Sequence, residues 1–542
     1  MKSSPSLSTL IFIIFVTFSW SSAASVDDHV DHFLKCLKEE FDNYTSISSL
    51  VFTPTNSSYS SVLQYSVQNL RFVQESTPKP LVIITPEHES QIPPLIYCAK
   101  ENHIQIRTRS GGHDFEGLSY VTEVPFVVID FIKFDKVTVD AEQKTAWVEA
   151  GATLGTLYYR IAEKSPTLGF PAGACPTIGA GGHFSGGGYG SLHRKYGLAA
   201  DHVIDVRLVD ANGKILDRES MGEDYFWAIR GGGGASFGVV IAWKIELVDV
   251  PETVTVFSVQ RTLEENATQL IHRWQYVAPN IDPNLFILVR VARVNSNQDG
   301  SYITMNAAFT ALFLGGIDEL LPLMQENFPE LGVVRENCKE ISWVQSILYF
   351  QGFPLDQLEW LLNRQQFYVG FFKGKMDYAT EPIAEYVFED IWNLFKEPDA
   401  KDADIVLIPY GGRMAEISKS AIPFPHRSGT LYKILYATYW SKENAQDADK
   451  ILGWLRNLYN YTTPYVSKSP RGAYVNYRDL DIGVNNNKGE VSYKRARVWG
   501  RKYFKGNFDR LVRVKTIVDP TNFFRNEQSI PTRRKWTGKE DI

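Results

Sequence analysis

His113 and Cys175 stand in two glycine-rich stretches, RTRSGGHDFEG at 107–117 and GACPTIGAGGHFSGGGYG at 173–190. Taken alone, His113 reads as a loop histidine making a hydrogen bond, and Cys175 as a small buried hydrophobe. Their setting adds more. Glycines at Gly111, Gly112, Gly179, Gly181 and Gly182 let the backbone turn tightly and approach a ligand. Successive N–H groups in such turns form anion-binding nests suited to a pyrophosphate. A nicotinamide site would need G-x-G-x-x-G, but Phe184 stands where the third glycine belongs. A P-loop would need Gly-Lys-Ser/Thr, which is missing. Several long glycine runs in one module therefore predict a cradle for another phosphate-bearing cofactor.

The elements that must position these loops read as follows. The stretch 28–42 has apolar residues at helical spacing. Residues 60–76 read as extended. Strands are expected over 80–86, 104–110, 126–131 and 145–151, with a proline-interrupted helix between the first two and another helix after the last, ended by Pro166. Residues 202–218 read as a hairpin turning at Asn212-Gly213, and a further strand closes the module near Pro251. From 252 to 475, strands such as 285–294, 302–315 and 431–440 are mixed with helices, which predicts an antiparallel sheet in an α+β module. The remaining tail is expected to return to the first module.

The whole chain sets bounds on function. At 542 residues it is too long for one core, so two or more domains are expected. A net charge of −6 and no long basic run offer no nucleic-acid footprint. The basic residues Arg533, Arg534, Lys535 and Lys539 read as a solvated tail. Residues 1–24 have the form of a signal peptide: Lys2, an apolar run at 10–18, then small residues at 21–24. No later stretch is long and apolar enough for a membrane anchor. The mature protein is expected in the secretory pathway, outside the cell, in the cell wall or in the vacuole. Sequons at Asn43, Asn56, Asn266 and Asn460 agree with that route. Four cysteines then meet an oxidising compartment. Spacing allows several pairings; Cys36 and Cys98, which flank the first segment, are the natural pair. Cys338 reads as a buried free thiol after a helix end. No Cys or His cluster has zinc spacing, so no metal is expected.

Longer motifs carry a resemblance. RSGGHD at 109–114, CPTIGAGGHFSGGGYG at 175–190, RKYGLAAD at 194–201, FWAIRGGGG at 226–234, PFPHR at 423–427, NYRDLD at 476–481 and DPTNFFRNEQSIP at 519–531 resemble the plant berberine bridge enzyme-like flavoproteins. MGEDYFWAIRGGGG and NFFRNEQSIP look closest to that family's cannabinoid oxidocyclase branch. The resemblance covers essentially the whole chain after residue 24. It implies a two-domain α+β fold of the vanillyl-alcohol-oxidase type. Residues 25–76 would begin the FAD module, 77–251 form its PCMH-type FAD-binding domain, 252–475 the antiparallel-sheet substrate domain, and 476–542 a segment returning to the FAD domain.

The resemblance implies bicovalent FAD, with His113 bonded to the 8α-methyl and Cys175 to ring carbon-6. Arg109, Ser110 and the five glycines named above would also face the cofactor. Tyr189, Lys433 and Tyr477 match the cluster that, in alcohol- and phenol-oxidising relatives, sits over the flavin while hydride passes to nitrogen-5. A free tyrosine has a pKa near 10, so Tyr477 as a base needs a cation such as Lys433 nearby. Three positions depart from the pattern: Phe115 replaces a tyrosine, Leu435 a glutamine, and Ile178 stands where a valine leaves room for dioxygen. Arg290 falls where the cannabinoid branch places a substrate-binding polar residue; a surface strand arginine is the alternative.

Three functions follow as expectations. The first is a monomeric secreted oxidoreductase that oxidises a plant phenolic, prenylated phenol or alkaloid, with ring closure possible and dioxygen or another acceptor taking the electrons. The second is a non-redox cyclase using the flavin as scaffold, as in a [4+2] cycloaddition; Phe115, Leu435 and Ile178 keep it open. The third, a carbohydrate-binding or defence protein with a vestigial flavin, conflicts with the intact His113 and Cys175.

Overall fold

The computed structural model describes residues 26–41, 47–295, 303–486 and 491–533. The expected signal peptide, the Asn43 sequon and most of the basic C-terminal tail lie outside these residues.

The first module is built on two sheets. β1 (Val51–Phe52), β2 (Val82–Ile84), β3 (Gln105–Arg109) and β4 (Phe126–Asp130) form one sheet, in the order β1-β2-β4-β3. Its β2, β4 and β3 are parallel, and β2 and β4 are buried throughout. A parallel sheet must be covered on both faces, which is why VVI and FVVID read as unbroken apolar runs. The helix Ile92–Glu101 crosses between β2 and β3. Its two prolines sit in its first turn, where the missing N–H groups need no partner, so they open the helix rather than interrupt it. The helix Val26–Glu40 is stapled to it by the Cys36–Cys98 disulfide. Residues 60–76 depart from the extended reading. A helix spans Tyr59–Gln64, with Tyr59 and Leu63 buried one turn apart.

The second sheet is antiparallel: β5 (Val137–Asp140), β6 (Thr145–Glu149), β8 (Val203–Val209), β9 (Ile215–Leu216) and β10 (Val239–Glu246), in the order β5-β6-β10-β8-β9. Buried and open residues alternate along β6, as expected for a sheet with one covered face. β8 and β9 form the hairpin read at Asn212-Gly213, and Gly213 takes φ +76° there. β7 (Leu168–Gly169) and β11 (Val248–Asp249) make a small ribbon.

The second module is one seven-stranded antiparallel sheet: β12 (Val254–Thr262), β13 (Leu285–Asn295), β14 (Ile303–Phe313), β15 (Cys338–Ile341), β16 (Phe371–Ala379), β17 (Ala403–Pro409) and β18 (Tyr432–Trp440). Their order is β15-β12-β14-β13-β17-β18-β16. Strand alternation divides its faces. Ile287, Val289, Ile405, Leu407, Ile434 and Tyr436 pack under the helices Ala267–Val277, Glu385–Phe395 and Ala448–Tyr461. The intervening residues Phe286, Leu288, Val406, Ile408 and Leu435 look the other way, toward the glycine loops. Cys338 opens β15 and is only half-buried, so the buried thiol expected there is not observed.

The tail folds back on the first module. Arg107 of β3 pairs with Glu527 at 3.1 Å, and buried Lys515 donates to the Ser236 carbonyl at 2.5 Å. Between tail and second module lies a buried ionic cluster. Lys373 and Lys375 of β16 face Asp479 at 2.7 and 2.6 Å, and Glu116 of the first glycine loop also bonds Lys373.

Candidate active site

The two glycine loops meet edge to edge. A Cβ on Gly111 would lie 2.4 Å from the Gly179 nitrogen, and one on Gly179 would lie 2.3 Å from the Gly111 nitrogen. Gly112, at φ +73°, packs on the Ser66 carbonyl, and Gly181 on the Ala150 carbonyl. These glycines are needed chiefly for loop-on-loop packing. Gly182 is different: a Cβ there would meet nothing within 4 Å. Gly233 likewise opens on free space. Both line a cavity of about 430 Å³ that runs along the two loops. Asn526 and Gln528 of the tail line it too, and Phe286, Leu288, Val406, Ile408 and Leu435 of the big sheet form an apolar wall.

His113, Cys175 and Ser110 all line this cavity. The Ser110 hydroxyl donates to the Ala150 carbonyl at 2.5 Å. His113 Nε2 is 3.0 Å from the Thr177 hydroxyl, and Cys175 Sγ is 3.6 Å from the same oxygen. Burial pushes the His113 imidazole down to about 4 and the Cys175 thiol up. Near neutral pH, His113 is therefore uncharged, with a lone pair on one ring nitrogen.

Arg109 does not face the cavity. Its guanidinium is fully buried, holds Asp130 at 2.6 Å and donates to the carbonyls of Val62 and Leu63. It clamps β3 to β4 and the Tyr59–Gln64 helix, so the expected cofactor contact through its side chain is not seen. Arg290 also stands apart. It follows Leu288 on the same face of β13, but it is exposed and paired with Asp404 at 2.7 Å. The structure favours the surface-arginine alternative.

The second cluster forms around Tyr189 and Tyr477, which line the same cavity. Tyr189 and Tyr477 share a short phenol–phenol hydrogen bond. Phe115 stacks on Tyr477, centroids 5.1 Å apart and planes within 14°. Lys433 Nζ sits over the Tyr189 ring and 5.2 Å from the Tyr477 centroid, with no hydrogen-bond partner. Burial pushes the Lys433 amine well below its ordinary value and the Tyr477 phenol up to about 12. The Tyr189 hydrogen bond acts against burial at Tyr477. This differs from the expected tyrosine–ammonium pair. Tyr477 is a neutral phenol near neutral pH, burial works against the charged form of Lys433, and Tyr189, rather than Lys433, touches the Tyr477 hydroxyl.

Family models match residues 80–218, as an FAD binding domain, and residues 473–531, as berberine and berberine like. A tetrahydroberberine oxidase of Berberis wilsoniae is 51% identical, over 97% of this chain and 99% of its own length. A cannabidiolic acid synthase-like protein of Cannabis sativa is 48% identical, over 96% of each. The chain belongs to the berberine bridge enzyme-like family of FAD-linked oxidoreductases. Among solved structures, the grass pollen allergen Phl p 4, described as a glucose dehydrogenase, superposes with a TM-score of 0.87 at 46% identity, covering 93% of this chain and 100% of that one.

The residues present fit the family's cofactor. Gly182 and Gly233 leave open the space that a side chain would fill, beside a neutral imidazole and a thiol. Arg478, beside the cavity, is held by Asp114 at 3.0 Å but keeps one buried nitrogen without a partner. Sequence reasoning missed several residues that build this site. Thr177 lies inside the quoted motif, and a hydroxyl two residues after Cys175 was a usable signal. His193, which bridges the Gly190 and Pro409 carbonyls at 2.6 and 2.8 Å, ties the second loop to β17. Gln366, whose side-chain oxygen accepts from the Thr177 hydroxyl, lies outside every glycine run, and nothing in NRQQFY marks it.

Proposed function

We propose that this enzyme oxidises an apolar plant phenolic, a prenylated phenol or an alkaloid, on FAD bonded through His113 and Cys175. The carrying observation is that the apolar wall and the Tyr189–Tyr477 pair line one cavity. FAD supplies, when bound, a hydride acceptor. The protein's part is to orient substrate and move one proton. Phe286, Leu288, Val406, Ile408 and Leu435 exclude water from an aromatic or isoprenoid body. Tyr477 takes the hydroxyl proton as hydride leaves, and Tyr189 stabilises the phenolate by donating to it. Burial works against the charged form of Lys433, and its amine, over the Tyr189 ring, is the proton acceptor we assign to the tyrosine pair.

Leu435 and Phe115 make this pocket apolar where glutamine and tyrosine would bind a sugar-like hydroxyl. That favours the phenolic class over glucose, which Phl p 4 is described as oxidising. Ile178 lines the cavity beside Cys175 and narrows access for dioxygen. In Phl p 4 the wild type is described as a glucose dehydrogenase and an isoleucine-to-valine variant as a glucose oxidase, which supports assigning such a gate to Ile178. Entry to the secretory pathway through residues 1–24 and a monomeric state complete the reading. Among the described residues no helix is long and apolar enough to cross a membrane. Asn56, Asn266 and Asn460 are exposed and open to glycans.

An anaerobic screen of phenolics and prenylated phenols tests the proposal, read by flavin bleaching and product mass. Bleaching with loss of two hydrogens supports oxidation. Turnover without bleaching, giving an unchanged or summed mass, would replace it with the scaffolded cyclisation that Phe115, Leu435 and Ile178 also suit.

A further inference from the structure

Thr177 connects the two attachment residues to a loop of the second module. Its hydroxyl lies 3.0 Å from His113 Nε2, 3.6 Å from Cys175 Sγ and 3.2 Å from Gln366 Oε1. The nitrogen of the same Gln366 amide donates to the Gly111 carbonyl at 3.3 Å. The direction of every bond follows from the Gly111 end. A carbonyl oxygen only accepts, so the Gln366 nitrogen faces Gly111 and its oxygen faces Thr177. An amide oxygen also only accepts, so the one hydroxyl proton of Thr177 goes to Gln366. The Thr177 oxygen is then left to accept, from His113 on one side and Cys175 on the other. His113 is thereby the Nε2–H tautomer, with its lone pair on Nδ1.

We propose that Thr177 and Gln366 are positioning residues for flavin attachment, holding the His113 ring in the orientation and tautomer that leave Nδ1 bare. The proposal rests on the reading that FAD is bonded to His113. Bond formation takes the Nδ1 lone pair to the ring methyl carbon. The electrons of the broken C–H bond pass to the flavin ring, and that hydrogen and the Nε2 hydrogen leave as protons. The flavin so reduced is returned to its oxidised state by dioxygen. Thr177 and Gln366 gain and lose nothing in the balance; they set which nitrogen is bare. Gln366 also makes attachment depend on the second module. Its loop is anchored to the first module by Arg364, which donates to the Gly151 carbonyl at 2.8 Å, and by Leu361, whose carbonyl packs on Gly155.

The test uses the full-length protein produced with its flavin, as wild type, Thr177→Val, Thr177→Ser and Gln366→Leu. Total flavin per folded protein is measured first. After denaturation and digestion, the fraction of the His113 peptide that carries flavin is read by mass, and the bonded nitrogen by NMR of the isolated flavin peptide. The expected wild-type linkage is through Nδ1. Thr177→Val and Gln366→Leu should lower the His113-linked fraction at early times by about tenfold, the worth of one hydrogen bond, or yield mixed Nδ1 and Nε2 linkage. Thr177→Ser should restore the wild-type result. Wild-type extent and atom in both Thr177→Val and Gln366→Leu would overturn the proposal while leaving covalent attachment intact. Absence of flavin on the wild-type His113 peptide would instead overturn the attachment reading itself. Should Thr177→Val fail to fold, Gln366→Leu, half-exposed and outside both glycine loops, decides alone.

Discussion

Removing the Tyr189 hydroxyl is the sharpest probe of the proton path. In the structure that hydroxyl is hydrogen-bonded to Tyr477, and this bond is the contact that favours ionised Tyr477 against burial. A hydrogen bond to a charged group is worth about 1.5–3 kcal/mol. At roughly 1.4 kcal/mol per tenfold, Tyr189→Phe should slow flavin reduction by about 10- to 100-fold, with little change in binding, because the ring remains. Tyr477→Phe removes the base itself and should cost about 10²–10⁴-fold. The sign of the pH dependence follows from the raised value of about 12 at Tyr477. The phenol is protonated throughout the usual range, so the wild-type rate should climb with pH. Tyr189→Phe should displace that climb to still higher pH, and Tyr477→Phe should flatten it. The assay is anaerobic stopped-flow reduction at saturating substrate from pH 6 to 10. A Tyr189→Phe enzyme with the wild-type rate and pH profile would refute the relay. A Tyr477→Phe enzyme that bleaches normally would remove Tyr477 from the chemistry altogether.

Ile178→Val should speed reoxidation of the reduced flavin by dioxygen; wild-type reoxidation that is already fast would show that Ile178 is no gate. Arg290→Ala should change kcat/KM by less than about fivefold, the worth of an exposed pair, and a large loss would return Arg290 to the substrate site. Removing the Cys36–Cys98 bridge, 62 residues apart, should cost about 4 kcal/mol of stability in urea unfolding by the chain-entropy relation, and an alkylatable Cys36 in the native protein would contradict the pairing. Lys373→Met should cost about 3–5 kcal/mol, because Glu116 and Asp479 would stay buried with one cation fewer. In the same cluster burial raises the Asp481 carboxyl, but Arg456, Lys373 and Lys375 outweigh it and hold it below its ordinary value. A depressed carboxylate stabilises the fold above its unfolded pKa, so this contribution should be whole at neutral pH and fade as pH falls below about 4. A stability curve that stays flat there would argue against it.

Legibility in the sequence tracked locality. The buried strands FVVID and LFILVRV declared themselves because burial on two faces, or on alternating faces, writes directly into residue order. The Tyr59–Gln64 helix was lost because its six residues give a single apolar i,i+4 pair, Tyr59 and Leu63. β16 was not read as a strand: its FFKGKMDYA carries three charges, and all nine residues are buried only because Asp479, Asp481, Glu116 and Arg471 arrive from distant segments to pair with them. Arg109 illustrates the converse error. A motif arginine beside a glycine loop suggests a phosphate contact, yet its partner, Asp130, sits one strand away in register with it.

The same distinction separates two kinds of residue at the site. His113, Cys175, Tyr189 and Tyr477 were legible because each stands in a motif of its own, and the fold brings all four to one cavity. Thr177 and Gln366 form hydrogen bonds around His113 and Cys175, and what they do depends on which atom faces which. Lys433 shows how far that can alter chemistry. The sequence supports an ammonium that lowers the pKa of Tyr477. In the fold, burial without a hydrogen-bond partner works against that charge. A cationic Lys433 would stabilise phenolate at Tyr477 before substrate arrives. A neutral one leaves the pair undissociated until a substrate proton enters, which couples proton transfer to substrate binding rather than preceding it. Lys433→Met separates the two. If the lysine is a resting cation, the substitution raises the pH at which the free enzyme becomes active. If it is a proton acceptor, the free-enzyme profile in kcat/KM holds its position, and the loss appears in kcat.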